Sequence, residues 1–473
     1  MPEHVGQAHA MTRRGRLLWF IALESLCVLG FVVLLAMGQS RLAAAVLLGP
    51  FQLLAWLVLA GSGRALLIAF VAVVPLAGAE LVPTVYQRYV LFPGTIGLLA
   101  LLLFSRHVFG DLLAPTRIRM PERSAMLVLS AWTVVSGILA AFRGWGNQAL
   151  PWNTLLMIEV MLLTYFAAVV PRSLQDIRVL LYVILASMTV VASWVPILPL
   201  VSGGLGGKVV STPFGLTNLN IVACGLSIVG AVALGLATGA ERVGTRSLLS
   251  VVVLLCVIAL VVTRSRGAWF GFGAAFLYLL LRTRSLGLLL SGAGSGLALL
   301  ASDFLRTLLS SRAAVTNAYD PSMYGRFMLW HFAWVVSRAN LLFGVGMDNF
   351  RYVKHFYGYP LPWAVSRPFN AHNLYLEVLA DLGIVGFAVF FWLFGSSFVH
   401  SWRAVRFRMS RDLGLGLSAG FIACAVHGMV ESAMFNPGVF ALLGVLLGFS
   451  ISLRRLISSP SSFVLDSRET VSE

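Results

Sequence analysis

The chain alternates long apolar runs with short polar links that carry most of its arginines. Runs of this kind cover 17–37, 42–61, 65–83, 89–105, 125–141, 153–171, 177–200, 219–238, 247–263, 268–281, 286–302, 373–398, 413–432 and 437–453, the weakest being 89–105, 268–281 and 286–302. Crossing bilayer hydrocarbon takes roughly 20 apolar residues in a helix, because backbone N–H and C=O groups there must be paired within the segment. The pattern therefore predicts an all-α polytopic membrane protein with about 12–14 transmembrane helices. The longest interruption, 303–372, predicts a large loop outside the bilayer. Within it FMLWHFAWVV (327–336) is apolar but too short to span, which predicts a short interfacial or re-entrant helix packed on the membrane domain. Its flanks, AYDPSMYG and FYGYPLPW, are rich in Tyr, Pro and Gly, as an ordered loop is. The expected organisation is membrane helices over 1–302, the loop over 303–372, further membrane helices over 373–455 and a polar tail over 456–473.

Composition agrees. Of the residues 59% are hydrophobic and 11% charged, against about 25% charged in a soluble domain. The net charge of +16 invites a nucleic-acid reading, but the arginines sit in links between apolar runs, which is a footprint of membrane topology. No nucleic-acid partner is expected. Cys27, Cys224, Cys256 and Cys424 all lie inside apolar runs, so a disulfide framework is not indicated. The first run follows Arg13, Arg14 and Arg16, and exceeds the apolar core of a cleaved signal, so it reads as a retained anchor.

Orientation follows from the same arginines. With the N-terminus inside, the links holding Arg64, 106–123, Arg172 with Arg178, Arg242 with Arg246, Arg282 with Arg284, and 403–411 are all cytoplasmic. So is the tail with Arg454 and Arg455, and the loop over 303–372 then faces the other side.

Several residues are costly where this topology puts them. Arg264 and Arg266, in TRSRGAWF, stand at the outer end of a span against the charge bias. Snorkelling beside Trp269 would explain them; so would a site for an anion, since guanidinium forks bind phosphate oxygens bidentately. Arg326, one turn before Trp330, falls on the same outer face, as do Lys208, Arg338, Arg351, Lys354 and Arg367. Such a basic chamber suits a lipid-linked phosphate or diphosphate, and a solvated basic surface is the plainer alternative. His372 marks the return of the chain into the membrane, and a neutral imidazole there can accept a proton. At helical spacing His372, Leu376, Leu379, Gly383 and Gly386 share one face, whose glycines predict close approach of a neighbouring helix. Glu377 and Asp381 lie on another face; Asp381, well inside the span, needs a partner, a proton or a wet cavity. His427 and Glu431, at i,i+4, predict a hydrogen-bonded pair backing the site. Asn218 and Asn220 open a span on the outer side, where helix N-terminal amides favour anions. Metal-ligand spacing, a glycine-rich phosphate loop and a nucleophile elbow are all missing from the sequence, so neither metal, cofactor nor nucleotide is expected.

SRGAW (265–269), R-x-x-x-W (Arg326, Trp330), NLLFGVG (340–346) and HNLYLE followed by G-x-x-G (372–386) together resemble the O-antigen ligase and polymerase superfamily. The ordered motifs run from about Asn218 to Asn436, with the large outer loop where that family has it. The resemblance implies a bacterial inner-membrane enzyme with cytoplasmic termini. It would join a glycan carried on undecaprenyl diphosphate to a hydroxyl of a lipid core or another glycan, on the periplasmic face, without metal or nucleotide. It implies that Arg266 and Arg326 hold the diphosphate and that His372 activates or positions the hydroxyl. Arg264, Lys208, Asn218, Asn220, Trp330, Asn373, Glu377, His427 and Glu431 are then the expected substrate-binding residues. Relatives often carry an arginine shortly before G-x-x-x-N-x-N; here Ser211, Thr212 and Pro213 stand there, with Lys208 as the candidate substitute. The competing reading is a flippase or secondary transporter for a lipid-linked or anionic substrate. Inverted repeats and midplane charges would favour it, whereas this chain shows no repeat and gathers its polar residues at the outer end.

Overall fold

The computed structural model describes residues 120–146, 150–197, 219–285, 287–288, 321–358, 370–432 and 436–458. The apolar runs at 17–37, 42–61, 65–83 and 89–105, and 286–302 apart from 287–288, lie outside the described residues, as do Lys208, Asn218 and Arg367. Everything regular in the described part is helical: α1 (Pro121–Phe142), α2 (Leu150–Val169), α3 (Leu174–Trp194), α4 (Leu219–Gly239), α5 (Val243–Thr263), α6 (Arg266–Thr283), α7 (Pro321–Ala339), α8 (Leu374–Ala404), α9 (Arg411–Gly428) and α10 (Pro437–Ile457), with short 3-10 turns at Val353–Phe356 and Arg408–Ser410. Among the described residues seven helices are long and apolar enough to span a membrane: α1, α3, α4, α5, α8, α9 with its preceding turn, and α10. The predicted run 268–281 forms α6, which falls outside that set.

α4 is the hub. It packs on α9, α5 and α6 and is buried almost all round. Its Ala, Gly and Ser positions let neighbouring backbones come close, which in lipid replaces the hydrophobic driving force between helices. The expected short loop helix is longer than its apolar stretch: α7 has 19 residues, places Arg326 in its second turn rather than at its start, and packs on α8.

α8 departs most from expectation. At Gly383 the backbone turns to φ 65°, ψ −172° and the helix breaks. What approaches there is a loop, not the helix that the glycine spacing suggests. Val345 N–H donates to Ala380 O (3.0 Å), Gly346 N–H to Asp381 O (2.9 Å), and Ile384 N–H to Leu341 O (2.7 Å). Trp132 Nε1 takes Leu382 O at 2.9 Å, and its ring stacks on Phe343 at 4.9 Å. The 340–346 segment thus satisfies the backbone groups that the break frees, as buried non-helical backbone at this depth requires. Gly344 (φ 71°) and Gly383 permit the fit: a Cβ on either would lie 2.3 Å from a carbonyl oxygen of the other segment. Asp381 completes it, accepting the N–H groups of Asp348 (2.8 Å) and Phe350 (2.9 Å). Its carboxylate is a loop-anchoring group.

At the end of the bundle with the C-termini of α4, α8 and α10, ion pairs tie helices together. Arg178 forks onto Asp412 (2.8 and 3.0 Å). Glu122 accepts from His400 (2.7 Å) and Arg454 (2.8 Å), and Arg408 meets Glu241 at 3.1 Å.

Candidate functional site

The site lies at the opposite end, where α5, α9 and the segment before α8 run out and α4 and α6 begin. α5 ends at Thr263, and the chain reverses within Arg264 and Ser265 before α6 opens at Arg266. Arg264 sits in the left-handed region at φ 53°, a conformation that costs a non-glycine residue of order 1–3 kcal/mol and persists only when its surroundings enforce it. Here they do: Thr263 Oγ1 donates to Leu260 O (2.7 Å), and Trp269 Nε1 reaches back to Leu260 O (2.8 Å), clamping the turn. The tryptophan is therefore a brace for the turn, and both arginines are aimed by it.

His372 is the second strained residue, at φ 50°. Asn373 follows as the N-cap of α8: its Oδ1 accepts Leu376 N–H (3.0 Å) while its Nδ2 donates to Met429 O (2.9 Å). Trp330 Nε1 donates to the His372 carbonyl at 3.4 Å. Glu377, fully buried, accepts Ala371 N–H at 2.9 Å. Asn373 and Trp330, expected as substrate-binding residues, thus spend their polar groups on nearby backbone, Glu377, expected likewise, commits one carboxylate oxygen there, and none of the three lines the pocket.

Glu431 is the centre of the arrangement. It is 9% exposed. Its Oε1 pairs with His372 Nδ1 at 2.7 Å; its Oε2 accepts Asn220 Nδ2 at 3.3 Å and lies 3.8 Å from Arg326 Nη2. The predicted pairing of His427 with Glu431 does not form. α9 stops at Gly428, and the turn beyond it directs Glu431 to His372, leaving its amide on His427 O (3.1 Å). His427, 1% exposed, has no hydrogen-bond partner on either ring nitrogen among the described residues. An unmet buried polar group of this kind costs about 1–3 kcal/mol.

Asn220, Arg264, Ser265, Arg266, Gly267, Arg326, His427, Val430 and Glu431 enclose a cavity of about 120 Å³. Among the described residues three guanidiniums face it against one carboxylate, and the Nε of Arg264 is buried without a hydrogen bond to any of them. The start of α6, which has no side-chain cap, adds the positive end of a helix dipole. Gly267 allows the walls to meet: a Cβ there would lie 2.6 Å from Val430 Cγ2 and 2.9 Å from His427 Cδ2. Ser265, Gly267 and Val430 were not singled out in the sequence; the first two lie within the SRGAW motif, whereas Val430 has no local signal at all. Arg351, expected among the chamber's cations, is half-buried and ion-paired with Asp348, and Arg338 is exposed near the end of α7.

Electrostatics divide the paired groups cleanly. Burial lowers the proton affinity of His372, but the hydrogen bond and charge of Glu431 outweigh it and hold the imidazole above its ordinary pKa. Burial pushes the Glu431 carboxyl upward, yet the hydrogen bond and charge of His372, with His427 and Arg326, hold it below the usual range. The carboxylate contact is made through Nδ1, the arrangement seen in other carboxylate–imidazole pairs.

Fold and site together define a polytopic helical membrane protein with an arginine-walled pocket and a carboxylate-anchored imidazole at one end of its helices. Residues 251–391, under a third of the chain, match the family model described as O-antigen ligase, the family that the motifs resemble. The matched segment contains Arg264, Arg266, Arg326 and His372; Asn220, His427 and Glu431 lie outside it. No curated protein matches the chain.

Proposed function

We propose that this protein is a glycosyltransferase of the bacterial inner membrane that moves a glycan from an undecaprenyl-diphosphate carrier onto an acceptor hydroxyl at the periplasmic face. One observation carries the reading: Arg264, Arg266 and Arg326 share a pocket with the carboxylate that holds His372. The arginines would bind the diphosphate, and their charge would stabilise the negative charge that builds on it as the anomeric C–O bond breaks. His372 Nε2 would take the proton of the acceptor hydroxyl as its oxygen forms the new glycosidic bond, and the bond pair departs with undecaprenyl diphosphate. The sidedness is supported by Arg172, Arg178, Arg242, Arg246, Arg282, Arg284, Arg403 and Arg454, which gather at the end away from the pocket.

The test is reconstitution of the full chain with a lipid-diphosphate glycan and two acceptors, a lipid core and a second glycan. Product on the first indicates a ligase and on the second a polymerase; product on neither rejects the reading. Arg266→Ala and Arg326→Ala should each lower transfer by roughly 10²–10³-fold at unchanged membrane level, and full activity in both variants would also reject it.

A further inference from the structure

His427 combines features that a packing role leaves unexplained. Its imidazole lines the arginine pocket yet is 1% exposed, and both ring nitrogens lack a partner among the described residues. The carboxylate four residues on, its obvious mate, is taken by His372. The ring is held in place: its Nε2–Cδ2 edge lies over Gly267, the one residue type that leaves room there, with a Cβ at that position falling 2.9 Å from Cδ2 and 3.3 Å from Nε2. A neutral imidazole carries one donor and one acceptor, and a protonated one would bury a fourth cation beside three guanidiniums. Its surroundings therefore favour an uncharged N–H directed at an anion.

We propose that His427 is a ligand-contacting residue of this pocket, whose Nε2–H donates to a phosphate oxygen of the lipid diphosphate held by the arginines. The inference rests on the lipid-diphosphate reading above and adds a division of labour between two histidines. His372, anchored by Glu431, handles the acceptor's proton, while His427, without an anchor among the described residues, is completed by the leaving group. It also extends the site beyond the segment that matches the family model, into the end of α9.

The experiment measures binding of undecaprenyl diphosphate, without sugar, to the purified full chain and to His427→Phe, His427→Gln and His427→Asn, alongside glycan transfer and thermal unfolding without ligand. A glutamine amide reaches about as far as Nε2 and an asparagine amide only as far as Nδ1. The expected result is about tenfold or greater loss of affinity in the phenylalanine variant, recovery to within a few-fold of wild type with glutamine, and little recovery with asparagine. A purely structural ring would lower the unfolding temperature but leave the affinity of the folded fraction unchanged, and that outcome overturns the proposal. Should the phenylalanine variant not fold, glutamine against asparagine decides: equal affinities overturn it. If the wild type transfers glycan and all three variants bind undecaprenyl diphosphate like wild type, the role of His427 fails while the transferase reading stands. If the wild type neither binds undecaprenyl diphosphate nor transfers, both fail.

Discussion

Two histidine–glutamate pairs of the same length sit at opposite ends of this bundle. His372 meets Glu431 at 2.7 Å, and His400 meets Glu122 at 2.7 Å. At the far end the oxygen that faces His400 also takes Arg454 at 2.8 Å, and the three groups bolt α1, α8 and α10 together. Charge there is matched within the cluster. At the pocket end the nearest guanidinium, Arg326, stands off at 3.8 Å, and two more arginines share the cavity wall. Around the cavity, among the described residues, guanidiniums outnumber carboxylates by three to one. The same contact is a fastener in one place and part of a site in the other, so the surplus charge and the cavity beside it distinguish the two, not the pair itself.

The comparison breaks most sharply at the imidazoles. His372→Ala should lower glycan transfer by about 10²–10⁴-fold, the usual worth of a general base, with the lipid diphosphate still bound; wild-type turnover would put the chemistry elsewhere. Replacing each glutamate by its amide then asks the two pairs the same question. Glu431→Gln should cut the plateau rate by roughly 10–100-fold and move the pH profile. A base must be neutral, so wild-type activity should rise with pH through an inflection above the ordinary imidazole value of about 6.5, because Glu431 raises the pKa of His372. Without that charge the inflection should move to lower pH; a profile that stays put would show that Glu431 does not govern His372. The stability sign runs the other way. With a raised His372 pKa, the pair stabilises the fold fully below the unfolded imidazole's pKa and loses that contribution as pH rises through the folded value. Glu122→Gln should leave turnover per folded molecule unchanged and lower the unfolding temperature by several degrees, since a buried ion-pair network loses its only carboxylate. The smallest effect is expected for Arg408→Ala, which breaks a pair whose two side chains are about 70% exposed; neither unfolding nor transfer should change measurably, as is usual for surface pairs.

Legibility along the chain followed the range of the interactions. Helices such as Leu219–Gly239 and Pro437–Ile457 match their apolar runs within a few residues, because a span's extent depends on its own hydropathy. The glycines of α8 were visible, but their consequence was not. Spacing along an ideal helix suggests a helix-packing face, whereas Gly383 breaks the helix and receives the 340–346 loop. Asp381 is similar: depth in the span announced that it needs a partner, and the partners are backbone amides more than 30 residues earlier. His427 and Glu431 both line the pocket, but the pair that their spacing suggests does not form, since the i,i+4 rule assumes a helix that here stops at Gly428.

Membrane character, span positions and the arginines marking one face were written in residue order, since each depends on local hydropathy and charge. Which carboxylate holds which imidazole was not. Glu431 reaches His372 across 59 residues and Asn220 across 211, and only the packing of α4 against α9, with α8 beside it, brings them within hydrogen-bond range. Contacts that span helices depend on how backbones cross and where they break, and a one-dimensional pattern carries neither.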